Sequence, residues 1–122
     1  MNQTKKPPVS RANRRVSRRW QLRNDARVEC RKGLGMGPNL VLSSLDISET
    51  GARVLLKEGL SLGQEVEVLL AGTGLGRPVK RLANVIWSVA TDSGCYCAGL
   101  HFHKVLRFAE MQFLTRPSGL IG

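Results

Sequence analysis

In the segment Gln64-Glu65-Val66-Glu67-Val68-Leu69-Leu70, apolar side chains alternate with the two glutamates. Val66, Val68 and Leu70 fall on one face of an extended chain, and Glu65, Glu67 and Leu69 fall on the other. A period of two residues is typical of a β-strand that turns one face towards a core. This segment therefore predicts a sheet with one buried face.

Segments of similar length recur on both sides of this one. Five more strands are predicted, over residues 26–30, 40–45, 51–56, 79–89 and 95–102. Glycine-rich turns separate them, as in residues 33–38 and 72–78. Six short strands with such frequent turns predict an all-β fold, a small six-stranded antiparallel β-barrel.

The two ends of the chain differ from this pattern. Residues 1–17 combine prolines and charges with almost nothing to bury, which predicts a flexible, disordered basic tail. Residues 104–114 predict a short C-terminal helix, because Leu106, Ala109 and Phe113 fall on one stripe. The 122 residues are thus expected to form one domain at 18–115, followed by a C-terminal tail at 116–122.

The positive charge of the chain is large and uneven. The net charge is +10, and eleven of the 19 basic residues lie within the first 32 positions. Only Asp25 and Glu29 oppose them there. A generally basic surface would spread its charge, so this clustering predicts a local site for a phosphate-rich or anionic partner.

The cysteines and the apolar runs bear on location. Three cysteines cannot all pair within one chain, and Cys95-Tyr96-Cys97 is too tight for a routine disulfide, which predicts a cytoplasmic protein. The first residues are polar and basic, so no signal peptide is expected. No apolar run approaches the roughly 18 residues that a membrane span needs.

Metal binding, cofactor binding and catalysis find little support in the sequence. Cys95, Cys97, His101 and His103 share one face of a predicted strand and spread over about 25 Å, too far for one zinc ion to gather them. The nine acidic residues suggest no set of nucleophile, base and orienting group. We therefore expect that the protein is not an enzyme and that it binds neither a metal ion nor a cofactor.

The arginines of Arg18-Arg19-Trp20-Gln21-Leu22-Arg23 are the first candidate binding residues. Arg19 and Arg23 are four residues apart, a spacing that brings two side chains to one side of a helical turn or a wrapped segment. The pairs 14/18 and 15/19 fit the same spacing. A guanidinium group can make two parallel hydrogen bonds to a phosphate or to the edge of guanine.

The segment Asp46-Ile47-Ser48-Glu49-Thr50-Gly51 is the second candidate. Asp46 and Ser48 point the same way from the end of a strand. A carboxylate can accept hydrogen bonds from N1 and N2 of guanine, and a hydroxyl can bridge to phosphate or base. Gly51 permits a positive φ and a close approach of the ligand to the backbone. An ordinary Asx or Ser turn between two strands remains the alternative.

Taken together, these motifs resemble the PilZ domain family of cyclic di-GMP receptors. Arg19 and Arg23 match its RxxxR motif, and Asp46, Ser48 and Gly51 match its D/NxSxxG motif. Further matches follow in order at residues 51–54, 62–66, 85–87 and 99–102, so that the resemblance covers about residues 18 to 112.

The resemblance implies that the arginine segment, Arg18 included, folds over the ligand against a six-stranded barrel. Members of the family often bind the ligand as an intercalated dimer. The family pattern also allows Trp87 to line the pocket, although a core position for this side chain fits the strand equally well.

The expected function is therefore a cytoplasmic, non-enzymatic receptor for cyclic di-GMP. Its basic segment is expected to be mobile until the two phosphates of the ligand neutralise it, and then to close on the barrel and present a changed surface to a partner protein.

One alternative is a basic barrel that binds nucleic acid non-specifically, with steep salt dependence and no sensitivity to Ser48→Ala. The scarcity of aromatic residues, 5%, weakens that reading. The other is a protein-interaction module that no longer binds nucleotide.

Overall fold

The computed structural model describes residues 18–33 and 35–120, with side chains as far as residue 116. The predicted disordered tail at residues 1–17 lies outside the described residues. In the described part, no helix has the length and hydrophobicity that crossing a bilayer requires.

The described residues form eight strands, one α-helix and a single-turn 3-10 helix. The strands are β1 (Trp20–Leu22), β2 (Arg27–Lys32), β3 (Val41–Ile47), β4 (Gly51–Leu56), β5 (Glu65–Ala71), β6 (Val79–Ala90), β7 (Tyr96–Phe102) and β8 (Thr115–Leu120). The α-helix is α1 (Phe108–Leu114), and the 3-10 helix is Thr73–Leu75.

The alternating segment forms β5 as predicted. Its side chains Val66, Val68 and Leu70 are fully buried, while Glu65 is exposed. β5 pairs with β2 on one side and with β6 on the other, both antiparallel. The alternation therefore identified both the element and the face that it buries.

All eight strands belong to one antiparallel sheet in the order β2-β5-β6-β7-β4-β3-β1-β8. The sheet curls until β2 meets the chain just before β3. There the Leu40 amide donates to the Cys30 carbonyl at 2.8 Å, and Asn39 Oδ1 accepts from the amides of Cys30 and Val41. The core fills the inside of the curl. It includes Val28, Ile47, Val54, Leu56, Val85, Leu100, Phe102 and Leu114.

The predicted six-stranded barrel was wrong in the number of strands, and the curled sheet forms a half-barrel. The six predicted strands correspond to β2–β7, and β1 and β8 are additional. β1 has only three residues, too few to show a period, and β8 contains Pro117 and Gly119, which are poor strand formers. The two pair with each other at Trp20–Leu120 and Leu22–Thr115 and extend the sheet beyond β3. β8 also overlaps the predicted C-terminal tail at 116–122, and the limits of the domain stay a prediction.

The C-terminal helix exists, but it starts at Phe108 instead of Lys104. The preceding backbone is bound to the sheet: the Leu106 amide donates to the Glu49 carbonyl at 2.8 Å, and the Arg81 side chain donates to the Lys104 carbonyl at 3.0 Å. The buried residues of α1 are Met111 and Leu114. Ala109 and Phe113 are exposed, so the predicted stripe was wrong apart from Leu106, which is buried just before the helix.

Candidate ligand-binding site

Four neighbouring strands carry one row of residues across the outer face of the sheet. Trp87 of β6 pairs with Gly99 of β7, Gly99 pairs with Arg53 of β4, and Arg53 pairs with Asp46 of β3. Residues paired in this way point to the same face of a sheet. Ala52 and Val54, on either side of Arg53, are buried, so the row lies on the outer face.

The carboxylate of Asp46 binds two guanidinium groups. Arg53 donates from Nε to both carboxylate oxygens, at 3.1 and 2.9 Å, and also from Nη2. Arg19 donates from Nη1 at 3.2 Å. The side chain of Asp46 is 5% exposed, against 36% for Arg19 and 44% for Arg53. The two arginines cover the carboxylate and leave one net positive charge at the surface.

This arrangement also affects the ionisation of Arg53. Its hydrogen bonds to Asp46 raise the pKa of the guanidinium, outweighing the opposing effect of partial burial. Arginine is protonated in proteins in any case, so Arg53 carries its positive charge in this arrangement. We call Arg19, Asp46, Arg53 and Trp87 the outer-face cluster.

Trp87 completes the cluster as a partly exposed aromatic surface. A Cβ atom at Gly99 would collide with the Trp87 indole, so the absence of a side chain there lets the ring lie against the backbone of β7. Trp87 and Arg53 both pair with Gly99, one from each side. An aromatic ring and a guanidinium group are thus neighbours on one exposed face.

The turn from Ser48 to Gly51 fixes the end of β3 beside the cluster. Ser48 is fully buried, and its Oγ accepts from the amides of Thr50 and Gly51 at 3.3 and 3.2 Å. The Ser48 amide donates to the Gly51 carbonyl at 2.8 Å. The hydroxyl thus shapes its own turn, and its direct contact with a ligand stays a prediction.

Gly51 is required for a different reason from the predicted one. Its φ is not positive. A Cβ atom at this position would instead overlap the carbonyl oxygen of Leu100 on β7. The close approach of two strands demands glycine here, and it holds the turn against the sheet.

The predicted arginines do not stay together. Arg19 reaches Asp46, whereas Arg18 and Arg23 line a cavity of about 740 Å³ beside α1. The spacing argument for a helical turn was wrong because the segment forms β1, with an irregular register between Trp20 and Leu22.

This second region, which we call the α1 cavity, is both apolar and cationic. Its lining includes Arg18, Trp20, Arg23, Phe108, Phe113 and Arg116. Arg23 Nη2 donates to the Gln112 carbonyl at 3.2 Å, and its buried Nε has no hydrogen-bond partner among the described residues. Phe108 is 74% exposed.

One member of the outer-face cluster, Arg53, is absent from the candidate residues predicted from the sequence. The segment 51–54 pointed to a strand, and alternation alone places Arg53 opposite its buried neighbours. The pairing of Arg53 with Asp46 cannot be predicted from a local pattern, because Asp46 is seven residues away, across a turn, on a strand whose register is irregular.

Within residues 18–33 and 35–120, no three Cys, His, Asp or Glu side chains are grouped to hold a metal ion.

A curled antiparallel sheet with a cationic, aromatic face fits a ligand-binding domain. Comparison with protein families makes the assignment specific, because the model of the PilZ domain matches residues 13–116. The chain therefore belongs to the PilZ domain family, a family of cyclic di-GMP-binding modules. Searches among curated proteins and among solved structures gave no match.

Proposed function

We propose that this protein is a cytoplasmic, non-enzymatic receptor that binds cyclic di-GMP on the outer-face cluster. The observation that carries the proposal is the ion pair between Arg19 and Asp46. These residues come from the two family motifs, 27 positions apart in the chain, and meet at 3.2 Å in the row that also holds Trp87.

Each group of the cluster suits one part of a guanine dinucleotide. Arg19 can bind a phosphate through its guanidinium fork. The exposed part of Trp87 can stack on a base, a contact worth about 1–3 kcal/mol. The carboxylate of Asp46 matches the N1 and N2 hydrogens of guanine. Ser48 and Gly51 fix the turn that follows the end of β3, the strand that carries Asp46. Together such contacts reach roughly micromolar affinity after the cost of ordering.

In this proposal, closure of the arginine segment involves side chains more than backbone. β1 is already paired with β3 and β8, so the segment lies on the sheet without ligand. Arg18 and Arg23 would turn from the α1 cavity towards the phosphates. Arg23 would give up one exposed hydrogen bond to Gln112, worth about 0.5–1.5 kcal/mol, for stronger charge-assisted bonds. The altered surface beside α1 is then available to a partner protein.

Isothermal titration calorimetry with cyclic di-GMP, cyclic di-AMP and GTP tests this function. We expect saturable heat with cyclic di-GMP, weaker binding of the other two, and loss of the heat in Asp46→Ala. Equal binding of all three nucleotides would contradict the proposal that Asp46 recognises guanine. Absence of heat with cyclic di-GMP would contradict the proposal.

Non-specific nucleic-acid binding is the second candidate, favoured by the net charge of +10 and its concentration near the start of the chain. Single-stranded DNA added to the same protein tests it. In that case the affinity should fall steeply with salt and be indifferent to the base composition. The receptor function predicts instead that cyclic di-GMP outcompetes such DNA.

A further inference from the structure

Without ligand, the charged groups of the outer-face cluster form ion pairs with one another. Asp46 accepts from Arg53 through Nε and Nη2 and from Arg19 through Nη1. Its carboxylate is almost completely covered by the two guanidinium groups. A ligand that binds Asp46, or the guanidinium edges that now face Asp46, must first break this ion pair, and one group of the pair would then lose its partner.

We propose that Arg53 is a further ligand-binding residue and that cyclic di-GMP binds by exchanging ion pairs. A phosphate replaces Asp46 as the acceptor of the guanidinium groups of Arg19 and Arg53. The N1 and N2 hydrogens of a guanine replace the two arginines as the donors to Asp46. This inference rests on the proposed function and deepens it, because it names what the ligand displaces.

The exchange gives each charged group of the cluster a new hydrogen-bonding partner. The guanidinium of Arg53 donates to the carboxylate from both Nε and Nη2, and the same edge can donate two parallel hydrogen bonds to a phosphate. Two oxygens of Asp46 accept, and the Watson–Crick edge of guanine presents two adjacent donors. After the exchange Asp46 keeps two hydrogen-bond donors, neutral N–H groups in place of the guanidinium groups, so the buried carboxylate is not left without a partner.

The position of Arg53 fits this role. Trp87 leans over Gly99 on β7, and Arg53 stands on the next strand, about 5 Å further across the sheet. A base that stacks on Trp87 therefore has its sugar and phosphate within the reach of Arg53. Asp46 follows on β3, one more strand across.

The exchange also predicts selectivity. Adenine presents an acceptor at N1 where guanine presents a donor, so cyclic di-AMP can take the arginines but cannot pair with Asp46. It would leave a buried carboxylate without a partner, and this should weaken its binding by about 100-fold or more relative to cyclic di-GMP. Asp46 then acts as an internal competitor against ligands that lack guanine.

The test compares four proteins, each titrated with cyclic di-GMP and with cyclic di-AMP: wild type, Arg53→Gln, Asp46→Asn and Arg77→Gln. Arg77 is exposed on a turn outside the cluster, so Arg77→Gln matches the change in net charge. We expect Arg53→Gln to weaken both dinucleotides by a similar factor, about 30-fold, because a phosphate contact carries no base preference. Arg77→Gln should stay within about twofold of wild type.

Asp46→Asn gives the sharper result, because the two ligands should respond in opposite directions. Cyclic di-GMP should bind more weakly, since a carboxylate partner is lost. Cyclic di-AMP should bind more tightly than to wild type, since the neutral amide of this variant leaves no uncompensated charge and no longer holds the arginines. A purely structural role of Asp46 would weaken both ligands.

Three results overturn the inference. Binding of cyclic di-GMP to Arg53→Gln within about twofold of wild type would exclude Arg53 and leave the proposed function standing. Weakening of both ligands in Asp46→Asn would exclude the exchange. Absence of binding to wild type would overturn the proposed function and this inference together.

Thermal unfolding checks the fold of each variant. If Arg53→Gln is unstable, Arg53→Lys decides, because lysine keeps the charge without the fork and should also weaken both ligands.

Discussion

The outer-face cluster and the α1 cavity each contain arginines from the same short segment, but the side chains of these arginines have different partners in the two regions. In the cluster, Arg19 meets a buried carboxylate that also binds Arg53. In the α1 cavity, Arg23 meets only the carbonyl oxygen of Gln112, and its buried Nε has no acceptor among the described residues. The first region is an ion cluster that is satisfied without ligand. The second is a cationic pocket in which no described carboxylate binds Arg23.

The difference indicates separate roles for the two arginines of one motif. Arg19 is tied to the residue that we assign to base recognition. Arg23 is tied to the last turn of α1, so a change in its partner changes the surroundings of the helix. We therefore assign recognition to the outer-face cluster and transmission to the α1 cavity, as parts of the proposed function.

The largest expected effect comes from the support of the cluster. Gly51→Ala places a Cβ atom on the Leu100 carbonyl and should lower the free energy of unfolding by about 3 kcal/mol. Urea denaturation measures it. Gly37→Ala is the control, because a Cβ atom there meets nothing within 4 Å. If both variants were equally stable, the turn would not be held as we describe.

The next effect separates the two regions directly. Arg19→Gln should weaken cyclic di-GMP by about 50-fold through the loss of charge-assisted hydrogen bonds. Arg116→Gln, which removes the same charge from the α1 cavity, should leave the affinity within about twofold. Titration of both variants at the same salt concentration measures this. A larger loss in Arg116→Gln would reverse the roles of the regions.

A smaller effect concerns the core beneath both regions. Burial raises the pKa of the Cys30 thiol from 9.0 to about 11, so the folded state resists forming the thiolate. The stability that this thiol contributes is fully present below about pH 9 and is lost as the pH rises towards 11. By about pH 10.5 the loss should be roughly 2 kcal/mol.

The control for this prediction is Cys30→Val, which has no group to titrate at that position and should lose less stability between about pH 9 and 10.5. Denaturation of both proteins across this range measures the difference. Equal slopes would contradict the burial effect.

The sequence predicted a mostly β fold and six of its strands, but not the total number of strands. Alternation identified β5, and similar patterns with glycine-rich turns identified β2, β3, β4, β6 and β7. It missed β1 and β8, because their stability comes from pairing with each other and with the edge of β3, which no local pattern records.

The site was predicted in part. The motifs named Arg19 and Asp46, which the structure brings together. Arg53 was missed because its partner lies across a turn with irregular register. The placement of Arg23 was missed because a helical turn or a wrapped segment was expected to bring Arg19 and Arg23 to one side, whereas the chain between them forms a short strand.

The central claim is that cyclic di-GMP binds at the outer-face cluster, and the two tryptophans of the chain report on the two regions separately. Trp20 lines the α1 cavity, and Trp87 lies in the cluster. Fluorescence of the single-tryptophan variants Trp20→Phe and Trp87→Phe should be followed during titration with cyclic di-GMP. We predict strong quenching when Trp87 is retained and only a minor change when Trp20 is retained. Strong quenching of Trp20 with an unchanged Trp87 signal would contradict the claim and place the ligand in the α1 cavity.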